Sequence, residues 1–255
     1  MPETQTKKGL TMIAHRGACM RYPENTLIAF QTAVDAGAKF IELDVQLSSD
    51  KTPILHHDGD LERMTGNPSL HSEVTAAEIL ELPAMHRERF GDRFADNRLS
   101  TLSDFAQWLS RYPDVTAFVE IKRQSVEVFG ADTVVSAVLN VIEQIKKQVV
   151  IISFNAEAIE VSRILDSTVP IGWVLRQYDQ QHHDRAEKLR PEYLFCKTVR
   201  LPKDRVVWDG PWQWVLYSTD SVAEAMDFFR SGFDMLETNR IVDLLGSEEL
   251  SLIHI

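Results

Sequence analysis

The chain has 255 residues, 44% of them apolar and 25% charged, and a net charge of −11. That size and balance suit a globular α/β protein of one large domain or two small ones. The negative charge argues against a nucleic-acid partner and gives no help at an anionic membrane surface, while two cysteines, Cys19 and Cys196, make no disulfide scaffold.

The first eight residues are polar, and no apolar run forms a signal-peptide core or approaches the ~20 residues of a membrane helix. A cytoplasmic protein without a membrane span is therefore expected. Along the chain, an apolar run at 11–15 ends in His15-Arg16-Gly17. Pro23-Glu24-Asn25-Thr26 then opens a helix over 25–36, in which Leu27, Phe30 and Val34 share a face and after which Gly37 marks the stop. Strands are predicted at 40–47 and 53–57, and the segment 58–100 fits no strand–helix unit. A helix at 102–111, a strand at 115–121, a helix at 130–147 and a strand at 149–153 follow. Next come a helix at 156–165, a strand at 169–175, a helix at 181–189, a strand at 192–197 and a short helix near 202–206. A strand at 213–219, a helix at 221–231, a strand at 234–237 and a helix at 242–245 complete the pattern.

Eight or nine strands alternating with helices predict a (β/α)8 TIM barrel, read as one α/β domain over 1–255 with a small insertion at about 58–100 on the active-site side. An open doubly wound sheet is the alternative, but its Gly-rich first turn is missing.

The 40–47 strand reads Phe-Ile-Glu-Leu-Asp-Val-Gln-Leu. Period 2 sends Ile41, Leu43, Val45 and Leu47 toward the helices and Glu42, Asp44 and Gln46 into the barrel. Inward carboxylates two residues apart repel each other and lose hydration, a cost that a divalent cation with oxygen ligands removes. A solvated edge strand explains the same pattern. Glu120 at the end of the 115–121 strand supplies a third carboxylate, with Lys122 beside it on the same face as an anion partner. Three carboxylates suit Mg²⁺ or Ca²⁺ better than Zn²⁺. His15 and His57 each end a strand and form a candidate proton-transfer pair, and Arg16 offers a fixed fork for phosphate. Together these residues suit in-line displacement at phosphorus. Phe154 and Trp214 are candidates for lining the substrate site, with core packing as the alternative for both. His71, His86, His182, His183 and His254 read as solvated.

These residues resemble the glycerophosphodiester phosphodiesterase family. The likeness lies in "HRG" at 15–17, "PENT" at 23–26, "IELDVQLSSD" at 41–50, "HD" at 57–58, "LERMTG" at 61–66, "LSTLSDF" from Leu99, "VEIK" at 119–122 and "SF" at 153–154. It implies a TIM barrel that hydrolyses small-molecule glycerophosphodiesters, such as glycerophosphocholine or glycerophosphoethanolamine, to sn-glycerol 3-phosphate and an alcohol. It also implies His15 and His57 as acid and base, Glu42, Asp44 and Glu120 as ligands of Mg²⁺ or Ca²⁺, Arg16 and Lys122 on the phosphate, and Glu24 close to the metal site. Three stretches depart from the family pattern: Ser100–Leu102, Tyr217–Asp220 and Thr238–Ile241. They are expected to lie away from the catalytic residues and to bear on the alcohol group. Alternative functions are a lysophospholipase D acting on lysolipids and a non-catalytic barrel that binds a phosphorylated ligand.

Overall fold

A computed structural model describes residues 9–251; the polar stretch 1–8 and His254 lie outside the described residues. Nine strands form: β1 (Thr11–His15), β2 (Phe40–Leu47), β3 (Pro53–Leu55), β4 (Thr116–Ile121), β5 (Val149–Ser153), β6 (Ile171–Val174), β7 (Tyr193–Lys197), β8 (Gln213–Tyr217) and β9 (Met235–Thr238). All but β3 pair in parallel, and β1 bonds to both β2 and β9, so eight strands close into a barrel. β3 runs antiparallel to the last residues of β2, on the edge that β1 has vacated. This places the chain after Leu55 at the C-terminal mouth.

The helices are α1 (Leu27–Asp35), α2 (Glu62–Thr65), α3 (Ala76–Glu81), α4 (Arg87–Phe90), α5 (Leu102–Leu109), α6 (Arg123–Phe129), α7 (Ala131–Ile142), α8 (Ala156–Leu165), α9 (Gln180–Leu189), α10 (Val222–Arg230), α11 (Ile241–Leu245) and α12 (Glu248–Ser251). Five of the longer ones begin at a side-chain cap, Thr26, Thr101, Asn155, Asp179 or Ser221, whose oxygen accepts an otherwise unpaired backbone N–H. No single described helix is long and apolar enough to cross a membrane.

Strand alternation builds two cores. Ile13, Phe118, Val150, Ile152, Val174, Phe195, Val215 and Met235 fill the barrel interior. Ile41, Leu43, Val45, Val119, Ile151, Leu194 and Leu236 point outward onto the apolar faces of the helices. Gly172 has an inward register, where an added Cβ would stand 2.9 Å from Ile152 Cγ2, so the interior is packed to the limit there. Between β3 and α5 the insertion carries α2, α3 and α4 over its own small core of Ile54, Leu61, Ala76, Ile79, Ala84 and Leu99.

Some expectations need correction. Residues 202–206 form turns rather than a helix, because so short a segment has no apolar stripe to offset nucleation. The helix expected over 130–147 ends at Ile142, and Gly130 separates it from α6, which the sequence pattern did not reveal. His71 is not solvated: it is buried, with its Nδ1 2.8 Å from the Leu47 carbonyl at the end of β2.

Candidate active site

The HRG segment turns sharply at the end of β1. Arg16 and Gly17 both have left-handed backbones, at φ 55° and 78°, and a Cβ on residue 17 would stand 2.7 Å from the Ala29 carbonyl carbon. Only glycine allows α1 to start this close to the barrel mouth. The Arg16 amide donates to the Glu42 carbonyl at 2.9 Å and to Glu42 Oε2 at 3.1 Å, and the Asn25 amide donates back to the Arg16 carbonyl at 3.2 Å. Asn25, itself at φ 57°, clamps Asp44 from both sides: its Nδ2 donates to Asp44 Oδ2 at 2.9 Å and its Oδ1 accepts from the Asp44 amide at 3.0 Å.

Four buried carboxylates converge on the mouth: Glu42, Asp44, Glu120 and Glu237. Asp44 pairs with Arg16 Nε at 2.9 Å and Lys122 Nζ at 3.0 Å, and Lys122 also holds Glu120 at 2.8 Å. Burial opposes the charge on Asp44, but Arg16 and Lys122 hold its carboxyl well below the usual range. Burial together with Asp44 and Glu237 pushes Glu42 well up, and burial raises Glu120 despite Lys122. Burial and the charge of Glu120 push Glu237 up to about 8, and no N–H or O–H donates to its carboxylate among the described residues. Fully ionised, the four carboxylates would exceed Arg16 and Lys122 by two negative charges in a site too buried to hydrate them, which is why Glu42, Glu120 and Glu237 are pushed upward.

Oxygen atoms of Glu42, Asp44 and Glu120 all lie within 4.8 Å of one another, and ligand atoms of His15, Glu42 and Glu237 form a second such group. A hard divalent cation fits the first set, which is all oxygen, carries excess negative charge and is largely withdrawn from water.

His15 ends β1 with its Nε2 3.8 Å from Glu42 and 3.6 Å from Glu237. Its Nδ1 lies 2.7 Å from Asn239 Oδ1. The Asn239 amide is oriented by Asp220, whose Oδ2 accepts from Asn239 Nδ2 at 2.8 Å and whose Oδ1 accepts from the Asn239 backbone N–H at 2.8 Å. With the amide oxygen so directed, His15 carries its proton on Nδ1 and presents a lone pair on Nε2. Burial and the nearby Arg16 push His15 down to about 4, so it is neutral at pH 7. His57 is a third exposed, and its Nδ1 bonds Asp58 Oδ1 at 2.7 Å. Arg63 from α2 holds Asp58 at 2.6 Å and Glu24 at 2.7 Å, and Arg16 Nη1 meets the same Glu24 oxygen at 2.8 Å.

A cavity of about 240 Å³ gathers His15, Arg16, Glu42, His57, Glu120, Lys122, Phe154 and Glu237 over an apolar floor of Ile152, Val174 and Phe195. Seven of the residues singled out from the sequence thus line one space, and Asp44 lies just behind them. Glu24 stands behind Arg16 as an anchor; burial opposes its charge, but Arg63 and Arg16 bring it down to about 2. Trp214 is not brought there. It shares the outward register of Leu194 on β7 and packs among Tyr178, Trp208 and Trp212. Cys19 is buried, and burial with the charge of Glu24 pushes its thiol up to about 12, so it is an inert group.

Sequence reasoning missed Glu237, Asn25, Arg63, Asp220 and Asn239. It also placed the 217–220 and 238–241 departures away from the catalytic residues, whereas Asn239 touches His15 directly.

The sequence profile of the Glycerophosphoryl diester phosphodiesterase family matches residues 15–206. The chain belongs to this family. Glycerophosphodiester phosphodiesterase 1 of Mus musculus is 29% identical over 176 residues, which cover 68% of this chain and 51% of that protein. Glycerophosphodiester phosphodiesterase of Caldanaerobacter subterraneus subsp. tengcongensis is 34% identical over 146 residues, 56% of this chain and 58% of that one. The match thus spans little more than half the length of these relatives. In fold, the chain is similar to an Oleispira antarctica phosphodiesterase solved with the product sn-glycerol-3-phosphate, with a TM-score of 0.82 at 23% identity, over 92% of this chain and 95% of that one. A Silicibacter pomeroyi family member superposes with a TM-score of 0.78 at 19% identity, over 93% of each chain.

Proposed function

We propose that this chain, acting as one barrel domain, hydrolyses soluble glycerophosphodiesters to sn-glycerol 3-phosphate and an alcohol. The observation that carries the reading is that two imidazoles with free Nε2 atoms, two fixed cations and a carboxylate cluster share one cavity of about 240 Å³. Glu42, Asp44 and Glu120 are the residues to hold Mg²⁺ or Ca²⁺, and the bound cation would supply charge stabilisation to the phosphoryl oxygens. Arg16 and Lys122 bind the phosphate, and their geometry is already set by Asp44, Glu24 and Glu120.

The histidines divide the proton work. Neutral His15 presents the Nε2 lone pair and suits the base that takes the proton of the attacking oxygen, which belongs either to water or to the substrate's 2-hydroxyl, with water then opening the cyclic phosphate. His57, whose ring is oriented through Nδ1 by the Asp58 carboxylate so that Nε2 faces the cavity, suits the acid that protonates the leaving alcohol. Phe154, on the cavity wall, packs against the substrate.

The test is release of sn-glycerol 3-phosphate from glycerophosphocholine and glycerophosphoethanolamine with Mg²⁺, with Ca²⁺ and with EDTA. Metal-dependent release that falls at least about 100-fold in both His15→Ala and His57→Ala is expected. Equal turnover in either variant overturns that histidine's role, and no turnover by folded protein with either metal overturns the reading.

A further inference from the structure

A second cavity, of about 430 Å³, opens beside the first and shares His57, Glu120, Lys122 and Phe154 with it. Its outer wall is cationic: Arg123, Arg176 and Arg200. The one carboxylate on this wall, Glu120, is already bonded to Lys122 at 2.8 Å. Arg176 is exposed and makes no ion pair or hydrogen bond among the described residues. Arg200 donates to two neutral acceptors, the Leu175 carbonyl at 3.0 Å and the Tyr217 hydroxyl at 3.1 Å, so no acid compensates its charge. Arg123 reaches only Glu127 on its own helix, at 3.6 Å. A chain of net charge −11 has therefore gathered cations around one opening, where neither Arg176 nor Arg200 is paired with an acid among the described residues.

The shape of the inner cavity says what the opening is for. With the phosphate on Arg16 and Lys122, the apolar floor of Ile152, Val174 and Phe195 closes off the space below, which admits one substituent of a diester. The other substituent must leave past His57, and the second cavity is the space contiguous with His57 and Lys122. A group seated there meets guanidinium forks, which match carboxylate and phosphate oxygens and repel an ammonium.

We propose that this second cavity is the subsite for the alcohol half of the diester, and that the chain selects alcohols bearing their own carboxylate or phosphate over neutral or cationic ones. The proposal rests on the phosphodiesterase reading. It extends that reading from the reaction to the substrate class, and it predicts that choline and ethanolamine diesters are the poorer substrates.

The test uses matched diesters: glycerophosphoinositol 4-phosphate, glycerophosphoinositol and glycerophosphocholine, each with Mg²⁺. The kcat/KM ratio of the first to the second isolates one added phosphate on the same ring. A ratio of about ten is expected, falling three- to tenfold in Arg176→Glu and shrinking as salt is raised. Arg176 makes no ion pair or hydrogen bond among the described residues, so the substitution breaks none; a thermal melt checks that the variant is folded, and taking the ratio cancels any general change in activity. A ratio near one, or a ratio untouched by Arg176→Glu, overturns the subsite while turnover of glycerophosphoinositol leaves the phosphodiesterase reading standing. If none of the three is hydrolysed, calorimetric binding of the same compounds decides. Tighter binding of the phosphorylated one, weakened in Arg176→Glu, supports the subsite and overturns only the reaction; binding without that preference overturns the subsite as well.

Discussion

Glu237 gives the sharpest test of the charge balance at the barrel mouth. It is 4% exposed, receives no side-chain hydrogen bond among the described residues, and faces Glu42 and Glu120. Its carboxyl is raised from 4.5 to about 8, first by burial and then by Glu120. For an acid raised in the folded state, the folded protein binds more protons than the unfolded one between those two values. The penalty is therefore absent below pH 4.5, grows as pH rises, and is complete above pH 8. At 1.36 kcal/mol per unit the shift corresponds to ~5 kcal/mol, and water entering the cavity reduces this to about 2–3 kcal/mol.

Glu237→Gln keeps the volume and removes the charge. In EDTA at pH 8.5 the variant should be more stable than the parent by that 2–3 kcal/mol, a rise in Tm of roughly 5–10 °C for a chain of this size. The advantage should vanish by pH 4.5, and saturating Mg²⁺ should narrow it by stabilising the parent, which has the greater excess of negative charge to neutralise. Thermal melts over pH 4.5–9, with and without metal, measure all three effects. A variant no more stable than the parent at pH 8.5 in EDTA would refute the claim that the mouth carries uncompensated buried charge.

Asp220→Asn should free the Asn239 amide to turn its nitrogen toward His15; the His15 ¹⁵N shifts would then report loss of the Nδ1–H tautomer, and kcat should fall about 10- to 100-fold with KM little changed, while unmoved shifts would remove Asp220 from the relay. Glu24, held at about 2 against an ordinary 4.5, adds stability that is present above pH 4.5 and lost as pH falls toward 2. Glu24→Gln should therefore cost about 2 kcal/mol at pH 7 and almost nothing near pH 2, as read by denaturant titration at the two pH values. Gly17→Ala should lower stability by about 2–4 kcal/mol, since both its φ of 78° and the 2.7 Å approach to Ala29 exclude a Cβ; an unchanged melting temperature would show that the turn relaxes freely.

How much of this was legible in the sequence depended on whether one strand could decide the matter. On β2, aliphatic and polar residues alternate without exception from Ile41 to Gln46, so period 2 puts Glu42 and Asp44 on one face, and the closed barrel makes that face the inward one. His15-Arg16-Gly17 is equally local, because a base, a cation and a glycine at a strand end leave few structural uses. On β8 both faces are apolar: Trp214 and Leu216 alternate with Val215 and Tyr217. Alternation therefore could not say which face was inside: Trp214 stayed a candidate for the site beside core packing, and Tyr217 is the residue of this strand that lines the cavity.

The residues that escaped share one property: their meaning is made by closure. Glu237 stands alone in Met235-Leu236-Glu237-Thr238 and reads as a strand-end acid. It becomes a fourth carboxylate only because β9 bonds to β1 with Ile13 opposite Glu237, bringing together residues 224 positions apart. The same pairing carries Asn239 to His15, and Asp220 reaches Asn239 across the neighbouring loop. Arg63 belongs to the insertion, where no periodicity indicates what a side chain faces, yet it ties Asp58 behind His57 to Glu24 behind Arg16. Local pattern thus specifies the groups proposed for the chemistry, while β-barrel closure and the insertion supply the groups that orient and charge-balance them. Substitutions at Asp220, Asn239 and Arg63 should accordingly weaken the proposed proton-transfer pair without changing any residue proposed to meet the substrate.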